Sequence, residues 1–175
     1  MKLEYLAKGK RSRVYTGVLK GRKIIVKKSK RAKIEAKWLK ILNKYKIGPK
    51  FISVGRDELI YEFVEGERIL DFKGDIKKVI KKVLDKCRKL DKLKINKKEM
   101  ANPYKHILIK NGKVKMIDFE RCYKSDKPKN VTQFCQFVRS RLMKVNDKKF
   151  KEILKKYKKK QSEKNYKEIL GFLKL

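Results

Sequence analysis

Three ionisable residues stand where apolar runs end. Lys27 closes the run Ile24, Ile25, Val26; Glu35 follows Ile34 in the next periodic segment; Asp118 follows Met116 and Ile117 far downstream. A lysine on a strand and a glutamate on a neighbouring helix can meet as an ion pair, which would hold the ammonium against phosphate oxygens. A carboxylate at the mouth of a cleft is a hard oxygen ligand suited to Mg²⁺ on those phosphates. Upstream, Leu6, Ala7, Gly9, Ser12 and Val14 span a basic turn rich in small residues. Small side chains let backbone N–H groups approach a triphosphate, and Val14 on the returning strand is placed to cover a purine. Taken singly each feature is ordinary. Lys27 is one of 44 lysines, Glu35 could lie on a helix surface, and Asp118 could cap a turn.

The elements that must position these groups follow from periodicity. Leu3 to Leu6, Val14 to Leu19 and Ile24 to Val26 read as an antiparallel meander, turned by Lys20, Gly21 and Arg22. Ile34, Trp38, Ile41, Leu42 and Tyr45 follow helical spacing, and Gly48 with Pro49 is expected to stop that helix. Trp38 is expected in the core. Phe51 to Val54 and Leu59 to Val64 flank a hairpin turn at Gly55, Arg56 and Asp57. Five strands and one helix are then complete by residue 64, and Glu65, Gly66 and Glu67 mark a boundary between lobes 1–64 and 65–175 of one domain.

Beyond the boundary, Ile76, Val79, Val83, Cys87 and Leu90 form one helical face. Asn111 and Gly112 between apolar runs predict a tight hairpin ending at Ile117. Asn130 with Gln133 predicts a capped helix start. Two further helices carry Phe150, Ile153, Leu154 and Tyr157, then Tyr166, Ile169, Leu170 and Leu173. The fold class is α+β.

Composition narrows the function classes. The 175 residues carry 54 Lys+Arg against 19 Asp+Glu, a formal charge of +35, yet 41% are hydrophobic. Disorder by charge needs a poverty of apolar residues that is not met here. No apolar run reaches the roughly 18 to 20 residues of a membrane span, the first residues show no signal-peptide core, and three scattered cysteines make neither a disulfide framework nor a zinc spacing. A soluble, cytoplasmic protein without a membrane association is expected. Such a field attracts polyanions, so RNA, in a ribosome or tRNA setting, is a possible partner. No segment interleaves aromatics with arginines in the manner of base readers, however, and lysines that merely solvate outer helix faces account for the bias more simply.

In their order along the chain, the small-residue turn, Lys27, Glu35, the segment Glu62 to Gly66 and the element Ile117-Asp118-Phe119-Glu120 resemble the eukaryotic-like protein kinase superfamily. The likeness runs from about Leu3 to Phe137. Glutamate after Asp118-Phe119, where protein kinases have glycine, looks like the atypical small kinases: RIO kinases, archaeal tRNA-modification-associated kinases, aminoglycoside phosphotransferases and, nearest, an archaeal family of predicted Ser/Thr protein kinases with Ile-Asp-Phe-Glu-Arg. The resemblance implies a reduced two-lobed kinase-like fold, with a five-stranded N-lobe sheet plus helix and a helical C-lobe with a small hairpin. It implies ATP and Mg²⁺ between the lobes and phosphoryl transfer to a protein hydroxyl, to the protein itself, or to water.

Position by position, the resemblance makes Lys27 the phosphate-binding lysine, with Lys28 next in line if the register slips, and Glu35 its partner. Ala7, Gly9 and Ser12 become the loop over the phosphates. Leu6, Val14 and Ile117 line the nucleotide, the backbone of Glu62, Phe63 and Val64 meets adenine, and Asp118 binds the metal. The catalytic loop departs most from the pattern. His106 takes the place of the expected asparagine, and a phosphate or structural role suits it better than Mg²⁺ ligation. Ala101 takes the place of the catalytic aspartate, leaving Glu99 as the nearest acid, brought to the cleft by a bulge through Asn102 and Pro103. The rival reading is a catalytically impaired kinase scaffold that binds RNA. Small-molecule phosphotransfer ranks last.

Overall fold

The computed structural model describes residues 2–175. The chain divides into two compact units, one of residues up to Gly66 together with Lys115–Arg121, the other of Glu67–Val114 with Cys122–Leu175. The first stretch ends at Gly66, and the short downstream segment Lys115–Arg121 also belongs to the first unit.

The first unit is built on a five-stranded antiparallel sheet in the order β1-β2-β3-β5-β4. Its strands are β1 (Leu3–Lys8), β2 (Arg13–Leu19), β3 (Arg22–Lys28), β4 (Phe51–Val54) and β5 (Glu58–Glu62). Lys20 and Gly21 both take positive φ, 49° and 73°, the two-residue turn whose twist matches a hairpin. Central β3 buries Ile24, Ile25 and Val26 almost completely. A β-branched run is the sequence signature of such a doubly covered strand.

Helix α1 (Ala32–Asn43) turns Glu35, Ala36, Trp38, Leu39 and Leu42 inward. Trp38 is in the core as expected, but Ile34 is 48% exposed and Tyr45 38% exposed. The helix is rotated from the face its apolar periodicity predicts, because the carboxylate of Glu35 takes the inward position. It also stops before Gly48. Asn43 donates its side-chain amide to the Pro49 carbonyl at 2.6 Å and accepts the Phe51 N–H at 2.7 Å, tying off the turn into β4. Gly48 sits where a Cβ would come within 2.7 Å of Leu39 Cδ1 and 2.8 Å of Phe119 Cε2. The Met116 N–H donates to the Ile47 carbonyl at 3.1 Å, and Lys115 Nζ to the Gly48 carbonyl at 3.1 Å. These bonds fasten the Asp118 segment to the α1–β4 turn.

The second unit holds helices α2 (Ile76–Lys92), α3 (Asn130–Phe137), α4 (Asp147–Lys159) and α5 (Glu163–Leu173). Asp75, Asn146 and Ser162 cap α2, α4 and α5 through their side chains, each satisfying an N–H left open by the first turn. The predicted hairpin is β8 (Ile107–Lys110) and β9 (Lys113–Met116), with Asn111 and Gly112 at φ 49° and 67°. Three short strands were not foreseen: β6 (Glu67–Arg68) beside β8, and β7 (Ile95–Lys97) beside β10 (Cys122–Lys124).

Asn130 is not the expected cap. It is the first residue of α3, and its side chain accepts the Lys97 N–H at 2.8 Å while donating to Asp91 and to the Ile95 carbonyl, both at 2.7 Å. Asp91 of α2 caps α3 instead, accepting the N–H groups of Asn130 and Val131. It also accepts the Tyr157 hydroxyl at 3.0 Å. No helix among the described residues is long and apolar enough to cross a membrane.

Candidate functional site

Residue pairing across the sheet sets the site. Ala7 on β1, Val14 on β2, Lys27 on β3 and Leu59 on β5 lie in one row, so Ala7, Val14 and Lys27 share a sheet face. Lys27 is buried and Lys28 exposed, which resolves the register in favour of Lys27.

The Lys27 ammonium donates to Glu35 Oε2 at 2.7 Å and to Asp118 Oδ1 at 3.0 Å, and lies 3.8 Å from Glu120 Oε2. The other oxygen of Glu35 accepts the Phe119 N–H at 3.0 Å. Glu35 thus bonds a strand on one side and the Asp118 segment on the other. Asp118 itself takes φ +63°, a left-handed backbone that costs an aspartate about 1 kcal/mol. Residues held in such conformations concentrate at functional sites. Fully buried Phe119 next to it is wedged against Gly48.

The electrostatics are those of a crowded ion cluster. Burial alone would lower the Lys27 pKa, but the Glu35 and Asp118 carboxylates outweigh it and hold the ammonium charged well beyond the ordinary lysine range. Burial pushes the Glu35 carboxyl up, against the opposing pull of Lys27 and the Phe119 N–H. One cation faces three carboxylates, whose ligand oxygens lie within 4.8 Å of one another. If all are ionised, the cluster carries two excess negative charges within a chain of net charge +35. Of the three carboxylates, Asp118 is the most open, with 32% of its side chain exposed against 10% for Glu120 and 3% for Glu35.

The turn over this face is tight: the Gly9 N–H donates to the Ser12 carbonyl at 2.8 Å. A Cβ on Gly9 would lie 2.8 Å from Ser12 Oγ, so glycine and serine here fit as a pair. Leu6 is half exposed, and Val14 and Ile117 are half-buried. At the end of β5, the Glu62 N–H donates to the Lys50 carbonyl and the Phe63 N–H to the Lys23 carbonyl. Both of those donors therefore serve the sheet; Val64 follows them.

The structure therefore gathers Lys27, Glu35 and Asp118, and adds Glu120, to which its place in the sequence assigns no role. The Phe119 N–H was likewise unforeseen, since nothing in its residue type marks a backbone donor. Glu99 and His106 belong to the second unit. Glu99 lies buried in a 3₁₀ turn (Lys98–Ala101), its Oε2 3.2 Å from Nζ of the fully buried Lys97. The His106 N–H donates to the Pro103 carbonyl at 2.8 Å, closing the turn before β8. Lys97 was missed, because one buried lysine cannot be told from its exposed neighbours by composition.

Comparison with solved structures identifies the architecture. The chain matches Rio2 kinase from Chaetomium thermophilum in an ADP/Mg²⁺-phosphoaspartate complex with a TM-score of 0.66 and 13% identity, covering 98% of this chain and 70% of that one. A second structure of the same kinase gives the same score and identity, covering 98% and 72%. WaaP in complex with acyl carrier protein matches with a TM-score of 0.61 and 12% identity, covering 95% and 81%. No protein-family model matches the sequence, and neither does any curated protein. The fold is kinase-like.

Proposed function

We propose that this kinase-like chain is an ATP-dependent phosphotransferase, an atypical serine/threonine protein kinase or autokinase that uses Mg²⁺. The observation that carries the reading is the bonding of one buried lysine to two carboxylates from distant segments, Glu35 at 2.7 Å and Asp118 at 3.0 Å. A desolvated ammonium at this position is not needed to fold a sheet, and burying it is costly unless it is paired. A site that binds phosphate gives it a task. The Rio2 neighbour solved with ADP and Mg²⁺ supports the same chemistry.

The residues present fit the cation that the fold implies. Asp118 offers a hard carboxylate oxygen in its partly open position, the ligand type Mg²⁺ takes. Bound there, Mg²⁺ supplies neutralisation of charge on the phosphoryl oxygens. Lys27 holds the phosphates, and Glu35 fixes the lysine. The turn from Ala7 to Ser12 covers the phosphates, Leu6, Val14 and Ile117 line the purine, and the backbone of the Glu62 to Val64 segment meets its edge. His106 is assigned a phosphate or structural role. The acceptor hydroxyl oxygen forms the new bond to the γ-phosphorus as the bond to the β-γ bridging oxygen breaks, ADP leaves, and Glu99 takes the hydroxyl proton. Positioning and charge neutralisation carry most of such a reaction.

The test is thermal and isotopic. Mg·ATP should raise the melting temperature with a concentration dependence set by its affinity, and γ-labelled ATP should label the protein or an added protein acceptor. Lys27→Ala should remove both effects. A wild-type protein that ignores Mg·ATP in the melting experiment would overturn the reading.

A further inference from the structure

The sheet of the first unit has a second face, turned away from Lys27, that shares only the Gly9 to Ser12 turn with the proposed phosphotransfer site. Tyr5 and Tyr15 are direct partners across β1 and β2, so they share that face. Their rings meet edge to face, with centroids 5.8 Å apart and planes at 76°. Tyr5 is 61% exposed, an uncommon position for a large ring with no covering element. Beside the tyrosines runs a row of cations: Lys8 pairs with Arg13, and Arg13 with Lys28, across three strands. Lys28 Nζ lies 5.4 Å from the Tyr15 ring centre.

The row opens into a depression of about 630 Å³ with Tyr15 in its lining. The Gly9 turn adds Lys10 and Arg11 to its wall, and the β3–α1 connection adds Lys30. Six cations thus surround it against two carboxylates, Asp57 and Glu58, on the β4–β5 side. No carboxylate among the described residues forms an ion pair with any of the six.

We propose that this face binds single-stranded nucleic acid, a base stacked on the exposed Tyr5 ring that Tyr15 props edge-on and the phosphates on the Lys8, Arg13 and Lys28 row. Tyr5 is the exposed ring and Tyr15 beneath it is half-buried; an exposed ring on a sheet with cations beside it suits an unpaired base, which offers a flat π-face. A duplex hides those faces, and an acidic peptide needs cations but no stacking platform. The depression beside α4 is also basic, with Lys151, Lys155 and Lys158 in its wall, but its aromatic residue Phe150 is wholly buried. Charge occurs at both places, and an exposed ring beside the charge occurs at the sheet.

The test is fluorescence anisotropy of the full chain with a labelled oligouridylate of about a dozen nucleotides, a length in the range of single-strand sites. Wild type should bind it more tightly than a duplex RNA of equal length. Tyr5→Ala, which removes an exposed ring, should weaken binding about tenfold without altering the melting temperature. The double variant Arg13→Glu/Lys28→Glu should weaken it about 100-fold and flatten the salt dependence. Lys155→Glu/Lys158→Glu, an equal change of charge on α4, should stay within about threefold of wild type, because those lysines neutralise no phosphate in the proposed mode. Lys27→Ala should bind as wild type does, which separates this face from the phosphotransfer site. An oligothymidylate that binds equally well, or less well for want of the 2′-hydroxyl, is consistent with the stacking mode and tells DNA from RNA. The proposal fails if Tyr5→Ala and the sheet double variant both bind like wild type. It fails equally if duplex RNA or polyglutamate competes as well as the single strand.

Discussion

Glu35 accepts the backbone N–H of Phe119 at 3.0 Å, a bond spanning 84 residues of sequence. Through it α1 holds the position of the segment that presents Asp118. The same carboxylate holds Lys27, so one side chain sets two groups of the site.

Replacing Glu35 with glutamine keeps the shape and one acceptor oxygen while removing the charge. Lys27 then turns more fully toward Asp118 and Glu120. The expected result is Mg·ATP affinity reduced about tenfold, with a loss of stability of about 1 to 3 kcal/mol from the broken charged hydrogen bond. Calorimetric titration and urea unfolding check the two figures. Wild-type affinity in this variant would remove Glu35 from the site.

A steric prediction tests the same arrangement from outside the charge cluster. In Gly48→Ala the new methyl meets Leu39 and Phe119 at 2.7 and 2.8 Å, so one of these side chains must move. Overpacking of this kind costs about 1 to 3 kcal/mol. Because Phe119 adjoins Asp118, ATP-dependent thermal stabilisation should shrink along with the apo melting temperature. A loss of apo stability with the ATP response intact would mean that Leu39 alone yields.

Much of this was legible in the sequence, and the failures have causes. The meander, the hairpins and most helices follow from period and turn chemistry, which act locally. The face of α1 was misread because periodicity weighs apolar residues alone. Glu35 is drawn inward by Lys27 and Phe119, and Ile34 is turned out. Asn130 and Gln133 imitate a capping pair, yet the Asn130 side chain finds Asp91 and the Ile95 carbonyl. Strands of two or three residues, such as β6 and β7, are shorter than any pattern. At the site, the order of Lys27, Glu35 and Asp118 was readable, whereas Glu120 is seen as a neighbour of Lys27 only once the chain turns at the left-handed Asp118. The Tyr5 and Arg13 surface is assembled by pairing across β1, β2 and β3, which residue order alone does not display.

Glu99 carries two roles that one pair of variants separates. Its carboxylate partners the buried Lys97 at 3.2 Å, so Glu99→Gln should destabilise the protein by about 3 to 5 kcal/mol, the usual result of breaking a buried pair. If Glu99 also accepts the substrate proton, turnover falls about 100-fold while ATP affinity holds. Adding Lys97→Met to Glu99→Gln removes the buried ammonium along with its partner, and should recover part of the stability while leaving turnover low. Restored turnover in the double variant would reduce Glu99 to a structural partner of Lys97.

The Asp91 cluster is the sharpest stability prediction in the second unit. Its carboxylate accepts from Asn130, Val131 and Tyr157. Asp91→Ala leaves those donors buried and unmet, at a cost of about 3 to 5 kcal/mol. Asn130→Ala removes a smaller share, about 2 kcal/mol. Urea midpoints give both numbers, and phosphotransfer by any folded fraction should be unchanged.

Alkaline pH supplies the last prediction, and several groups agree in sign. Burial pushes the phenols of Tyr61, Tyr157 and Tyr166 and the thiols of Cys87 and Cys135 above their ordinary ranges. Lys27 is likewise raised, its carboxylate partners overcoming burial. Each group keeps its proton in the native chain at a pH where the unfolded chain has lost it. The unfolded state therefore binds fewer protons, and stability falls as pH rises. The fall begins near pH 8.5, where free thiols ionise, and steepens above about pH 10, where free tyrosines and lysines do. Neutralising the surface lysines relieves repulsion over the same range, so the buried groups are best isolated by a variant. Tyr157→Phe should lose stability at neutral pH, through its bond to Asp91, yet show a shallower decline between about pH 9 and 11. Urea midpoints followed by circular dichroism across that range decide it, and parallel slopes for variant and wild type would show that the Tyr157 phenol does not contribute.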